Sequence, residues 1–142
     1  SDAEARAVAA ALRAPPRAVV AEGFDVQVTG EDAARLNPDG WLNDEVVNFE
    51  MALLQDRDDR RCEDDPNTKP CHFFNSFFLA KLMGDDAQSY SYPGVRRWTR
   101  TNGVDLFAKH LLFVPVNVGN MHWCLAAVDI ELKTVRYYDS MG

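Results

Sequence analysis

The sequence predicts an α+β fold, and two observations carry the prediction. Most of the helical patterns lie before Gly84, whereas from Leu111 onward short β-branched runs alternate with turn residues. At 142 residues and 46% hydrophobic content, the chain has the size of one domain. Such a length buries roughly two-thirds of its unfolded surface around one core. No internal repeat, low-complexity tract or linker-like stretch interrupts it.

Residues 3–13 read as a short helix within an N-terminal extension over residues 1–23, ended by Pro15 and Pro16, which cannot continue a helix. Phe24, Val26 and Val28 then alternate with polar residues, as in a half-buried strand. Thr29, with Asp32 three residues on, resembles a helix start, and that small helix must end before Pro38 in the Asn37-Pro38-Asp39-Gly40 turn. Asn43 can cap the next helix, over 43–55. There Asp44 and Glu45 favour the positive end of the dipole, and Val46, Val47, Phe49, Leu53 and Leu54 form an apolar stripe.

Residues 56–70, nearly all charged as far as Asp65, read as a solvated loop. Asn75-Ser76 offers a cap to a helix over 75–83, with Gly84 as its stop. Tyr92 to Arg100 mixes aromatics with three arginines, and residues 104–109 fit one further helical turn. The run from Leu111 to Val118, the Gly119-Asn120 turn and the strand patterns at 122–130 and 134–139 predict a three-stranded antiparallel meander. Pro115 lacks a backbone N–H, so its strand must be an edge or carry a bulge there.

Fifteen basic against 22 acidic residues give a formal charge of −7, which argues against a nucleic-acid binder and against an anionic membrane surface. A protein partner or small substrate is the expectation, with the chain a monomer. Glu4, Arg6 and Arg13 interrupt the Ala-rich start, so neither a signal-peptide core nor a membrane span is available there. Cys62, Cys71 and Cys124 are an odd number at no disulfide-framework spacing, which suits free thiols in a reducing, intracellular setting.

His122 and Asp139 carry the candidate chemistry. A carboxylate beside a histidine fixes the imidazole tautomer and stabilises the imidazolium, so the two can act as a base and its orienting group. An even-numbered loop between the last two strands would put both side chains on one side of the sheet. A turn centred on Ile130-Glu131 places them directly opposite, and one centred on Leu132-Lys133 offsets them by four residues; the sequence leaves the register open. Cys124 shares a face with His122 but sits mid-strand among apolar neighbours, unlike a reactive thiolate. Cys71 and His72 point opposite ways in an extended segment, and Cys62, Cys71 and His72 lack a fourth ligand at zinc-finger spacing, so no metal site is assigned. His110 reads as a helix-end or surface histidine.

Six segments together resemble a known family. Trp41-Leu42-Asn43-Asp44, Phe74-Asn75-Ser76-Phe77-Phe78, Gly94-Val95-Arg96-Arg97-Trp98, Pro115-Val116-Asn117, His122-Trp123 and Tyr138-Asp139-Ser140 stand in the order seen in the Ulp1/SENP family of SUMO proteases, over about residues 24–142. The resemblance implies a papain-like cysteine-protease fold, helices packed on a small antiparallel sheet, and a triad in the order His, Asp, Cys. It implies His122 as general base, Asp139 as its orienting carboxylate, and Trp41 and Trp123 as flat walls around the Gly-Gly tail of SUMO. Glycine has no side chain, so such a slot excludes larger residues.

By the same resemblance Asp44 would salt-bridge an arginine on the SUMO body, although it also suits a helix N-terminus. Arg96, Arg97 and Trp98 would lie near the substrate surface, while Phe73, Phe74, Phe77 and Phe78 are expected mainly in the core. The activity implied is SUMO precursor processing or cleavage of SUMO–lysine isopeptide bonds, without metal or organic cofactor, in the nucleus or in nucleus and cytoplasm. A NEDD8-directed relative and a non-catalytic SUMO-binding pseudoprotease are the alternatives. Family members carry the nucleophilic cysteine and an oxyanion glutamine downstream of the aspartate. Neither has a match within residues 1–142, so the implied domain is truncated at its C-terminal part and is expected to be inactive alone.

Overall fold

The computed structural model describes residues 1–84, 90–101 and 103–142. They form two compact units, Ser1–Ala52 and Leu53–Gly142. Among the described residues no helix is long and apolar enough to cross a membrane.

In the first unit, α1 (Asp2–Ala11) starts from a capping box in which Ser1 and Glu4 satisfy each other's backbone N–H groups. β1 (Val19–Gly23) and β2 (Val26–Thr29) form an antiparallel hairpin. Phe24 is therefore not a strand residue as the alternation suggested. It and Asp25 make the two-residue turn, both at positive φ (55° and 59°), the backbone pattern of a type I′ turn. The Asn-Gly pair that usually announces such a turn is missing. Phe24 instead keeps its ring against Phe49, with centroids 6.1 Å apart.

Thr29 caps α2 (Gly30–Ala34) in a second capping box, its hydroxyl facing the Asp32 N–H while the Asp32 carboxylate accepts from the Thr29 backbone. Asp32 is buried and reaches further, accepting from Asn43 Nδ2 at 2.6 Å. Asn43 Oδ1 in turn accepts from the Val46 N–H, so Asn43 caps α3 (Asp44–Asp64) as expected.

α3 runs nine residues beyond the predicted end, through the charged stretch assigned to a loop. That stretch holds itself helical with side-chain pairs at helical spacing: Gln55–Asp59, Asp56–Arg60 and Asp58–Arg61. It also has an apolar-free anchor. Asp58, only 3% exposed, accepts the Cys71 N–H at 2.7 Å, and Gln55 accepts the Phe73 N–H at 3.0 Å. These two bonds dock the segment leading into β3 (His72–Phe73) on the second unit's part of the helix.

β3 pairs parallel with β4 (Leu111–Val118), which pairs antiparallel with β5 (His122–Asp129), and β5 with β6 (Thr134–Tyr138). The fold is α+β as read, but the meander gains a short fourth strand and the sheet is mixed rather than purely antiparallel. Pro115 fits without a bulge. The Phe113 carbonyl accepts from Phe74 on the β3 side, and by alternation Pro115 turns its missing donor to that same side, where the β3 ladder has already ended. Its ring is fully buried.

Phe74, Leu112 and Val114 form the core of this unit, with Phe78, Trp98 and Leu106 packed on it. Phe74 stacks on Phe78 and Phe78 meets Trp98 edge-on, so Trp98 is a packing residue. Phe77 alone of the four phenylalanines is exposed. α4 (Phe77–Met83) stops at Gly84, whose φ is 71°; the aromatic and arginine-rich stretch opens with a short α5 (Tyr92–Val95), and the helical turn expected over 104–109 is a 3₁₀ turn at Leu106–Ala108. His110 lies two residues past that turn and donates its backbone N–H to the Pro70 carbonyl.

Candidate active site

The β4–β5 connection is three residues long, with Gly119 and Asn120 at positive φ, and it delivers His122 at the first position of β5. The β5–β6 loop is held by the Asp129 carboxylate, which accepts the Leu132 N–H at 2.9 Å. It pairs Leu125 with Tyr138 and Asp129 with Thr134. That register lies between the two alternatives open from sequence: extended one step, it sets Cys124 opposite Asp139 and leaves His122 offset by two residues. A two-residue diagonal is within reach of a histidine and a carboxylate on one face.

The side chains do meet. His122 Nε2 lies 2.6 Å from Asp139 Oδ1, and the same oxygen accepts the Met141 N–H at 2.8 Å. These two contacts, the backbone donor first and the imidazole second, hold the Asp139 carboxyl below its ordinary range. The carboxylate is thus fixed before it orients the ring, and Nδ1 is the imidazole nitrogen left for a reacting group. Side-chain exposures of 19% and 26% leave the pair reachable from solvent.

Cys124 joins the pair from below. Its sulfur lies within 4.8 Å of the Asp139 carboxylate, and the neighbouring thiol is the first cause that pushes the Tyr137 hydroxyl up to about 12. At 7% exposure, mid-strand, it lacks the electropositive, partly exposed setting of a reactive thiolate. The pattern of faces had already placed Cys124 beside His122; what only the register could show is its place opposite Asp139.

Trp123, between His122 and Cys124 in sequence, projects to the opposite face of β5. Arg96 and Arg97 follow α5 and are exposed. In the first unit Trp41 is 62% exposed, and its carbonyl accepts from Arg35 Nη1. The preceding turn has no room for a side chain, since a Cβ on Gly40 would stand 2.1 Å from the Arg35 carbonyl oxygen. Asp44 opens α3, half-buried in its first turn.

The model of the Ulp1 protease family, C-terminal catalytic domain, matches residues 40–142. The chain belongs to this family. It is 36% identical over 126 residues to a sentrin-specific protease of Caenorhabditis elegans, covering 89% of this chain and 16% of the relative. To ubiquitin-like-specific protease 1A of Arabidopsis thaliana it is 37% identical over 124 residues, covering 86% of this chain and 24% of the relative. Mouse sentrin-specific protease 2 is 37% identical over 128 residues, 90% of this chain and 20% of the relative.

Among solved structures, SUMO protease Ulp1 with its catalytic cysteine oxidised to a sulfinic acid superposes with a TM-score of 0.77 at 26% identity, over 99% of this chain and 56% of that one. The Ulp1 protease domain in complex with Smt3, the yeast orthologue of SUMO, gives 0.72 at 26% identity, over 96% and 55%. Residues 1–142 of this Ulp1-family chain therefore span about a quarter or less of these curated relatives and little more than half of the solved domains.

Proposed function

We propose that this chain provides the base and orienting carboxylate of a SUMO-specific cysteine peptidase. The observation that carries the proposal is the His122–Asp139 contact at 2.6 Å, with Asp139 fixed from outside by the Met141 N–H. The reading is supported by the names of the relatives and by the Smt3 complex of a similar domain.

In a whole domain of this kind, His122 takes the proton of a cysteine thiol through Nδ1, and the thiolate adds to the carbonyl carbon of the terminal glycine of SUMO. The carbon–nitrogen bond breaks as the imidazolium returns the proton to the leaving amine. Water, deprotonated by the same ring, then splits the thioester. Asp139 stabilises the imidazolium in both halves. The nucleophile and oxyanion donors belong to the remainder of such a domain, since the setting of Cys124 does not suit attack. Trp41 and Trp123 are assigned to the Gly-Gly tail, Asp44 to an arginine of the SUMO body, and Arg96 and Arg97 to the surface around it. A nuclear or nucleocytoplasmic location goes with this assignment and rests on the family.

Fluorogenic SUMO and NEDD8 substrates presented to the full-length protein test the proposal. Cleavage of SUMO, abolished by His122→Ala, is the expected result; cleavage of NEDD8 alone, or binding of SUMO without turnover, overturns it.

A further inference from the structure

Cys124 is the member of the site that the hydrolysis does not use. One ring nitrogen of His122, the Cys124 sulfur and one carboxylate oxygen of Asp139 lie within 4.8 Å of one another, and no other group of three such ligands occurs among the described residues. The sheet builds this trio: His122 and Cys124 project from one face of β5, and Asp139 reaches them from the end of β6. Cys124 forms a buried floor, and the two partly exposed partners leave a way in from solvent.

We propose that His122, Cys124 and Asp139 form a Zn²⁺-binding site. Thiolate, imidazole and carboxylate are the donor set that this borderline-soft ion takes, and three protein ligands with one open position is a common zinc arrangement. Magnesium and calcium, which want oxygen donors, are excluded by the sulfur and nitrogen. Tetrahedral zinc bonds of roughly 2.0–2.3 Å put ligand atoms about 3.3–3.6 Å apart. The sulfur thus closes in by about an ångström of side-chain rotation, while the His122–Asp139 bond opens by less. Two anionic ligands, thiolate and carboxylate, balance the charge of the ion.

Binding forms Zn–S, Zn–N and Zn–O bonds and releases the Cys124 thiol proton to solvent. The imidazole stays neutral, with its proton on the nitrogen that does not bind. Zinc would occupy the groups that the proposed peptidase needs as base and orienter, and so would shut it off reversibly. That consequence rests on the functional reading above, whereas the binding itself does not.

The test is a Co²⁺ titration of the purified chain, followed by displacement with one equivalent of Zn²⁺. A thiolate-to-cobalt absorption in the near ultraviolet, lost in Cys124→Ala and kept in Cys62→Ser and in Cys71→Ala, is the expected result. Zinc affinity in Cys124→Ala should fall by more than the roughly 10–100-fold typical of losing an outer contact. Absence of the absorption from the native chain, or its survival in Cys124→Ala, overturns the site. If circular dichroism finds Cys124→Ala unfolded, His122→Ala carries the same test from the exposed side of the trio. Metal binding without SUMO cleavage would leave the site standing and remove only the peptidase reading.

Discussion

His122 and Asp139 meet across a two-residue diagonal of the β5–β6 hairpin, with Nε2 and Oδ1 2.6 Å apart, and the Met141 N–H holds the same carboxylate oxygen from the other side. A carboxylate anchored in this way has little freedom to turn from the ring. The tautomer that leaves Nδ1 as acceptor is therefore built into the strand ends and needs no further residue.

Asp139→Asn keeps the shape and the Met141 bond but removes the charge that fixes the tautomer. In the complete enzyme kcat should fall by about 10²–10⁴-fold, the range of a general base and of a mis-set triad histidine. KM should change little if the role of Asp139 is to orient His122 rather than to bind substrate. Single-turnover rates with a fluorogenic SUMO substrate give the answer, and a loss confined to KM would refute the role.

The depressed carboxyl of Asp139 also fixes the sign of a pH effect. Its folded-state value lies below the unfolded one of about 3.9, so the contribution to stability is fully present above that pH and is lost as pH falls through the folded value. The stability gap between the native protein and Asp139→Asn, from urea unfolding, should thus narrow as pH falls below about 4. A gap that persists undiminished well below about pH 4 would contradict the assignment.

Much of the site was readable because its signals are local. Thr29 with Asp32, Asn43 before Asp44, Gly84 after Met83 and Gly119-Asn120 each act within a few residues, and each stands where its chemistry predicts. What escaped depends on contacts distant in sequence. The helix through residues 56–64 has no apolar stripe to betray it and is fastened instead by Asp58 to Cys71. β3 is two residues long and exists only because β4 lies beside it. The register of β6, and with it the approach of Cys124 to Asp139, was undetermined because two turn centres fitted the same apolar pattern.

If Trp123 is a wall of the glycine slot, Trp123→Ala should cost the complete enzyme far more activity than Arg100→Ala. Buried aromatic anchors at interfaces are worth about 2 kcal/mol or more, a roughly 30-fold effect, whereas an exposed surface charge is worth a few-fold at most. kcat/KM for SUMO cleavage by the two variants, with circular dichroism to confirm folding, separates them. Near-native turnover by the tryptophan variant would remove Trp123 from the slot.

Asp58 gives a stability prediction independent of any activity. Its carboxylate, 3% exposed, receives the Cys71 N–H at 2.7 Å and pairs with Arg61, whose own side chain is mostly in solvent. Asp58→Ala leaves that amide without its acceptor and should destabilise the chain by about 1–3 kcal/mol. Asp58→Asn keeps an oxygen that can accept the amide, so it should cost less. Urea unfolding ranks the three proteins, and the expected order is native, then asparagine, then alanine. An alanine variant as stable as the native protein would mean that the continuation of α3 past Gln55 holds without this bond, leaving the Gln55 contact to Phe73 as its tie to β3.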